Sequence, residues 1–422
     1  MRIPGRVLRR CAQGAALAAF ASLAPGLTGC APSRPAPLGG AAAAAIPGPG
    51  IAESPTRDTS LRFQIIYVIH GDGGYQWYDD AGVRHEADRE ALAQARETAE
   101  NAAAAEVFIF HQRPTRFLRF FHGSDGTLWQ YRKGRLVRKI PYDRTRDYDA
   151  NGRTEASARR GDGLNVEADL FARFAALAAP RRCGAPPQDP PVRILCYFGH
   201  GIPVTGKVPY FRSRPDVAFS LAAFARGLVR FGGPACPPSK PFALLVLSAC
   251  HGGTPEANLA LAPYSDWILA SPGELHLSYL DTRALARLAR DNPIPFEKDH
   301  AGLWGRAIAM ESFARLGASV RTGVTISLYD AAKTETYLRE HRGAWAETAE
   351  AIAADSTVTG PMLFSEPTRY RDCAENPAFG AGGESAGATI FYQPPRFGID
   401  RNKTVHSGWE CPAVEPRRAS LP

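Results

Sequence analysis

Beyond its first thirty residues, the 422-residue chain has no apolar run long enough to cross a bilayer as a helix, which would need about 20 consecutive apolar residues. It also lacks any Lys/Arg run interleaved with aromatics, the footprint of a nucleic-acid surface. No Cys/His spacing of the zinc type occurs, and no Asp/Glu-rich loop follows the calcium-binding pattern. His251 and His276 are therefore read as loop or solvated histidines, not ligands; no cofactor is implied by the residues and calcium dependence is left open. No repeat of solenoid period and no internal linker divides residues 61–393. These absences leave a single large domain whose partners are proteins or peptides.

What the N-terminus contains is an address. Arg2, Arg6, Arg9 and Arg10 form a positive region before the apolar stretch Ala15 to Gly29. That stretch is too short for a permanent span and fits a cleaved signal peptide over residues 1–29. It closes on Leu27-Thr28-Gly29-Cys30, which resembles the lipobox of bacterial lipoproteins. The resemblance implies lipidation at Cys30 and, with Ala31 following instead of Asp, an outer-membrane location facing the periplasm. The alternative is an ordinary signal peptide ending near a cysteine. Removing the four arginines lowers the formal charge from +8 to +4, so the basic pI says little about partners. Residues 30–60 then hold the lipidated Cys30 and an Ala/Pro/Gly tether, which when extended reaches at most on the order of 90 Å.

From Leu61 the pattern is alternation. Phe63 to Ile69, Val107 to Phe110, Val192 to Phe198, Phe242 to Leu247, Trp267 to Ala270 and Val324 to Tyr329 are short apolar runs. Helical stretches separate them, near Arg89–Ala104, Val166–Ala178 (with Asn165 placed to cap it), Phe219–Val229 and Ala331–Ala354. A hairpin with turns at Gly123 to Gly126 and at Lys133-Gly134 lies between the second and third runs. Unbroken apolar strands between helices predict an α/β fold with a mostly parallel sheet buried on both faces. Ligands in such sheets sit beyond the carboxyl ends of the strands. The region after Gly360 is Pro/Gly-rich and gives no topology, and 394–422 is expected to be a tail.

Two strand ends carry chemistry. The third strand runs into Gly199-His200-Gly201, and the fourth into Ser248-Ala249-Cys250-His251-Gly252-Gly253. A thiol at such a place needs an imidazole nearby to ionise it and to protonate a leaving amine. Glycine directly after the histidine, and two residues after the cysteine, lets backbone approach a carbonyl and lets N–H groups point at its oxyanion. Either half alone is more often a turn or a buried inert cysteine. Together, fifty residues apart on one strand–helix–strand unit, they point to a Cys/His dyad.

This pattern resembles the clan of caspases, gingipains, legumains and clostripain, with clostripain the nearest in character. Gly161-Asp162-Gly163-Leu164-Asn165, Ile268 to Glu274, and Val324 to Asp330 resemble the family's segments in order, over roughly residues 61–355. The resemblance implies a caspase-like three-layer sandwich with a six-stranded sheet. It implies Cys250 as nucleophile, His200 as general acid/base, and an oxyanion hole from the N–H groups of Gly201 and Cys250. Relatives carry Asp two residues before the nucleophile to bind a basic P1 side chain; here that residue is Ser248. The remaining acids for such a pocket are Glu274 and Asp72, so strict specificity for Arg is not expected. If Cys250 is free, Cys30 lipidated and Cys196 inside a strand, the remaining cysteines suggest the pairs Cys183–Cys236 and Cys373–Cys411, with unpaired thiols as the alternative. Two other readings compete. Gly383-Glu384-Ser385-Ala386-Gly387 satisfies a serine-esterase elbow, with His70-Gly71-Asp72-Gly73-Gly74 as its oxyanion loop, although no apolar strand precedes Ser385. A caspase-like module that binds without catalysing is the other.

Overall fold

The apolar runs become strands buried on both faces. In the computed structural model, β1 (Phe63–His70) and β2 (Ala105–Gln112) are buried at all their residues. They are followed by β3 (Gly126–Arg132), β4 (Arg135–Tyr142), β5 (Val192–Phe198), β6 (Phe242–Ser248), β7 (Ser265–Ala270), β8 (Val324–Asp330) and β9 (Ala388–Gln393). The structure describes residues 61–71, 76–113, 126–142, 147–148, 154–155, 163–175, 192–204, 208–211, 214–232, 240–275, 280–291, 300–346 and 369–413. Among them, no helix is long and apolar enough to cross a membrane.

These nine strands form one sheet in the order β9-β8-β7-β6-β5-β1-β2-β3-β4. The five at its centre, β7-β6-β5-β1-β2, run parallel. The α/β expectation therefore holds, with nine strands in place of six. The hairpin β3–β4 continues the sheet antiparallel beyond β2, and β9 extends it antiparallel beyond β8. Strand β8 itself lies antiparallel to β7. One helix separates β1 from β2 and β6 from β7, and a single crossover returns a chain to the same edge. Two helices separate β7 from β8, and β8 enters the other way.

Period-two alternation sends each strand's side chains to opposite faces. Ile66, Val68, Phe108, Phe110, Leu195, Tyr197 and Leu245 face helices α2 (Asn165–Phe174), α3 (Leu221–Gly232), α4 (Pro255–Leu261) and α7 (Ala331–Glu340). Ile65, Tyr67, Val107, Ile109, Cys196, Phe198 and Val246 face α1 (Ala87–Asn101), α5 (Ala284–Asp291) and α6 (Ala301–Ser319). The result is three layers. Helix α1 packs through Ala87, Ala91, Ala95 and Ala99, a stripe at intervals of four that is fully buried and lets its backbone approach the sheet closely.

Some ends differ from expectation. Asn165 is the first residue of α2, and Leu164 occupies its cap with no side-chain hydrogen bond. Helix α7 stops at Glu340, not near Ala354, and passes into a 3-10 turn at Arg342–Ala344. It starts cleanly because the Asp330 carboxylate accepts from the amides of Ala332 and Lys333. The expected tail is packed as far as Ala413: Arg369–Asp372 and Glu410–Ala413 form an antiparallel ribbon. A disulfide joins Cys373, just past one strand of that ribbon, to Cys411 within the other, and Trp409 is fully buried against Tyr329, Tyr337 and Phe379.

Candidate active site

Strands β5 and β6 are neighbours in the parallel core, with Tyr197 opposite Leu247 and Phe198 opposite Ser248. His200 and Cys250 each stand two residues past that last pair. The ladder continues for one more bond, from the Gly199 amide to the Ser248 carbonyl at 3.3 Å. Both residues therefore leave the sheet at its carboxyl edge, from adjacent strands, where parallel sheets place their ligands.

The turn after each strand is tightly fitted. A Cβ on Gly201 would come within 2.9 Å of the Cys250 carbonyl oxygen and 3.7 Å of its Cβ, so Gly201 lies directly on Cys250. Tyr197 reaches under the other turn, and its hydroxyl donates to the His200 carbonyl at 3.2 Å. His200 itself is half-buried.

The Cys250 sulfur rests against the backbone of Leu275. Its Sγ lies 3.1 Å from the Leu275 carbonyl oxygen, and the Leu275 amide donates to it at 3.3 Å. A resting thiol can thus donate to and accept from the backbone of a single residue while staying half-exposed at the edge. Cys196 is the contrast. It sits fully buried inside β5, and burial pushes its thiol far above the ordinary range, which makes it inert.

Ser248 is fully buried, and its Oγ accepts from the Leu280 amide at 3.5 Å. It anchors the segment after β7 and presents no charge. Glu274 is exposed, one residue before Leu275. Asp72 and His276 lie outside the described residues, as do Cys30, Cys183 and Cys236.

His251 is a loop residue with specific partners. Its backbone is left-handed at φ 54°, its ring stacks on Tyr370 with centroids 4.1 Å apart, and its Nδ1 lies 3.3 Å from Glu410 Oε2. Burial pushes the Glu410 carboxyl up, and the hydrogen bond from His251 opposes that shift. The Tyr370 hydroxyl is pushed up to about 12, by burial first and then by Glu256 and Glu410. Among the described residues no group of three or more His, Cys, Asp or Glu is arranged to hold a metal ion.

The serine-esterase pair does not assemble. Ser385 is exposed in a 3-10 turn, its hydroxyl donating to the Gly382 carbonyl at 3.1 Å, with no strand leading into it. It precedes β9, whose Ala388 lies opposite Tyr329, and Asp330 in turn lies opposite Trp267 near the start of β7. That is the amino edge of the parallel core. His70 ends β1 at the carboxyl edge, buried edge-on against Tyr197 and Phe219.

Sequence reasoning missed Leu275, Tyr197, Tyr370 and Glu410. Leu275 acts through its backbone and Tyr197 hides in an apolar strand, so neither leaves a signal. Glu410 is 159 residues from His251 in a segment with no motif.

No family model matches the chain, and no curated protein matches it. Among solved structures it is similar to an inactive zymogen C11 protease from Parabacteroides distasonis, at 15% identity and a TM-score of 0.48, over 83% of this chain and 90% of that one. It is also similar to a secreted C11 cysteine protease from Bacteroides thetaiotaomicron in complex with an irreversible peptide inhibitor, at 13% identity and a TM-score of 0.42, over 68% of this chain and 70% of that one. A third likeness, to the secreted C11 cysteine protease iotapain from the same organism, has 11% identity and a TM-score of 0.41, over 69% of this chain and 74% of that one.

Proposed function

We propose that this chain is a clostripain-like cysteine endopeptidase that hydrolyses peptide bonds with His200 and Cys250. The observation that carries the reading is the pairing of Phe198 with Ser248, which brings the two residue types the chemistry requires to adjacent strand ends. Cys250 is also the accessible one of the two free cysteines among the described residues.

The steps follow from the roles. Cys250 loses its proton to His200 and its sulfur attacks the scissile carbonyl carbon. The carbonyl π electrons move onto oxygen, and the N–H groups of Gly201 and Cys250 donate to that oxyanion. As the tetrahedral adduct collapses, the C–N bond breaks and His200 returns its proton to the leaving amine. Water, deprotonated by His200, then cleaves the thioester and restores the thiol. At P1, an exposed Glu274 and a buried Ser248 offer a basic side chain no enclosed carboxylate and leave Asp72 as the one other candidate acid, so neutral side chains are accepted alongside Arg and Lys. We place the enzyme at the cell envelope, held there through a lipid on Cys30.

The test is hydrolysis of a peptide library by the wild-type chain and by Cys250→Ala, His200→Ala and Ser385→Ala. Loss of activity in the first two, with Ser385→Ala unchanged, is the expected result. Activity that survives Cys250→Ala would end the proposal, and a wild-type chain that binds peptides without cleaving them would make it a binding module.

A further inference from the structure

The loop that carries the nucleophile is held from a part of the chain that the proposed chemistry does not use. His251 directly follows Cys250, and its left-handed φ of 54° is a conformation that residues other than glycine keep only when their surroundings hold it. Three contacts do so. The His251 amide donates to the Gly273 carbonyl at 2.9 Å. Its ring stacks on Tyr370 at 4.1 Å with 20° between the planes. Its Nδ1 lies 3.2 Å from the Pro272 carbonyl and 3.3 Å from Glu410 Oε2, so one proton there serves both acceptors.

Glu410 touches a second loop as well. A Cβ on Gly273 would come within 2.8 Å of Glu410 Oε1, which places the other carboxylate oxygen against that residue. Two residues on, Leu275 holds the Cys250 sulfur between its carbonyl and its amide. One side chain thus sits between the loop that carries the thiol and the loop on which the thiol rests. Its own position is fixed: Glu410 pairs with Asp372 in the C-terminal ribbon, between the buried Trp409 and the disulfide at Cys411. Tyr370, under the His251 ring, belongs to the facing strand of the same ribbon.

We infer that Glu410 is a positioning residue for Cys250, acting from the C-terminal ribbon through His251 and Gly273 to set the thiol against Leu275. Its catalytic consequence rests on the peptidase reading above, but its structural consequence can be measured without that reading. The amides of His251 and Gly253 donate to the carbonyls of Gly273 and Ser271, at 2.9 Å each, and so report whether the two loops stay together.

The experiment compares the full-length wild type with Glu410→Ala and Glu410→Gln. Hydrogen exchange is read over residues 248–254 and 271–275, with β1 and β5 as internal references, and kcat and KM are measured separately on a peptide that the wild type cleaves. In Glu410→Ala, exchange of the two loops should rise about tenfold with the reference strands unchanged. kcat should fall by about tenfold or more with KM within about twofold. Glu410→Gln keeps an oxygen to accept from Nδ1 and should recover both to within about threefold. Exchange that rises equally in the reference strands would reduce Glu410 to a stability residue and overturn the inference. So would unchanged loop exchange, or loosened loops with unchanged kcat. A wild type with no peptidase activity would refute the proposed function, and loop exchange alone would then decide whether Glu410 positions the thiol.

Discussion

Adding one methyl group to Gly201 offers a sharp test of the geometry at the sheet edge. Gly201 is not in the left-handed region, so its backbone accommodates alanine without strain and the effect of the change is one of contact alone. The new Cβ would lie 2.9 Å from the Cys250 carbonyl oxygen, about half an ångström inside ordinary van der Waals distance. That contact is with backbone, so no side-chain rotation relieves it. Either the Gly201 turn or the Cys250 turn must move, and His200 or the thiol moves with it. Inserting a methyl into a packed site costs about 1–3 kcal/mol of stability. A displacement of this size between reacting groups costs roughly ten- to a hundredfold in kcat, or about 1.4–2.8 kcal/mol of barrier. The two figures agree in size, as they should if one steric conflict underlies both. The assay is kcat and KM on a library-derived peptide, paired with thermal unfolding of Gly201→Ala. A lower kcat with KM nearly constant is expected. Wild-type kcat in a folded Gly201→Ala would show that the two turns do not meet at the reacting centre, and the dyad geometry argued above would fail with it.

Two further outcomes follow from the rest of the molecule. The Cys373–Cys411 disulfide closes a loop of 38 residues, and chain entropy assigns such a closure about 4 kcal/mol; Cys373→Ser with Cys411→Ser should lower denaturant stability by about 2–4 kcal/mol, and a loss below 1 kcal/mol would mean the ribbon is held without it. His111 and His406 are each pushed down to about 4, first by burial, with Arg113 adding to the shift at His111 and Asp372 opposing it at His406. Their depressed values mean that the unfolded chain binds protons first as pH falls from about 6.5. Stability should therefore be full above pH 6.5 and decline toward pH 4, by on the order of 2–3 kcal/mol per histidine. His111→Phe should flatten part of that decline, because phenylalanine cannot take up the proton and, among the described residues, neither ring nitrogen of His111 has a hydrogen-bond partner to lose; a melting temperature unchanged between pH 7 and 5 in the wild type would contradict the assignment.

The centre of the sheet was legible because its signal is local. A strand buried on both faces must be a short apolar run between breakers, and the run Val192 to Phe198 coincides with β5 at both ends. The edges were not legible as part of the sheet. Lys133 and Gly134 both take positive φ, as a tight hairpin turn demands, so the β3–β4 hairpin could be read. Its attachment to β2 could not, because most of β4 is at least partly exposed and no short-range pattern names a neighbour for it. Strand β9 and the ribbon beyond it lie in Pro/Gly-rich sequence, where the disulfide and the burial of Trp409 supply the order that periodicity lacks.

The same division runs through the candidate site. His200 and Cys250 are readable because the proposed base and nucleophile are side-chain identities, each placed just past the end of an apolar strand. What orients them is different in kind. Leu275 contributes its backbone N–H and C=O, which any residue but proline would supply, and Glu410 arrives from 159 positions beyond His251. A sequence names the groups that react. The groups that aim them are backbone atoms and distant carboxylates, which acquire a role only once the chain has folded around them. With the loop after the proposed nucleophile left-handed at His251 and anchored from the C-terminal ribbon, changes far from any motif should therefore alter kcat while leaving His200 and Cys250 untouched.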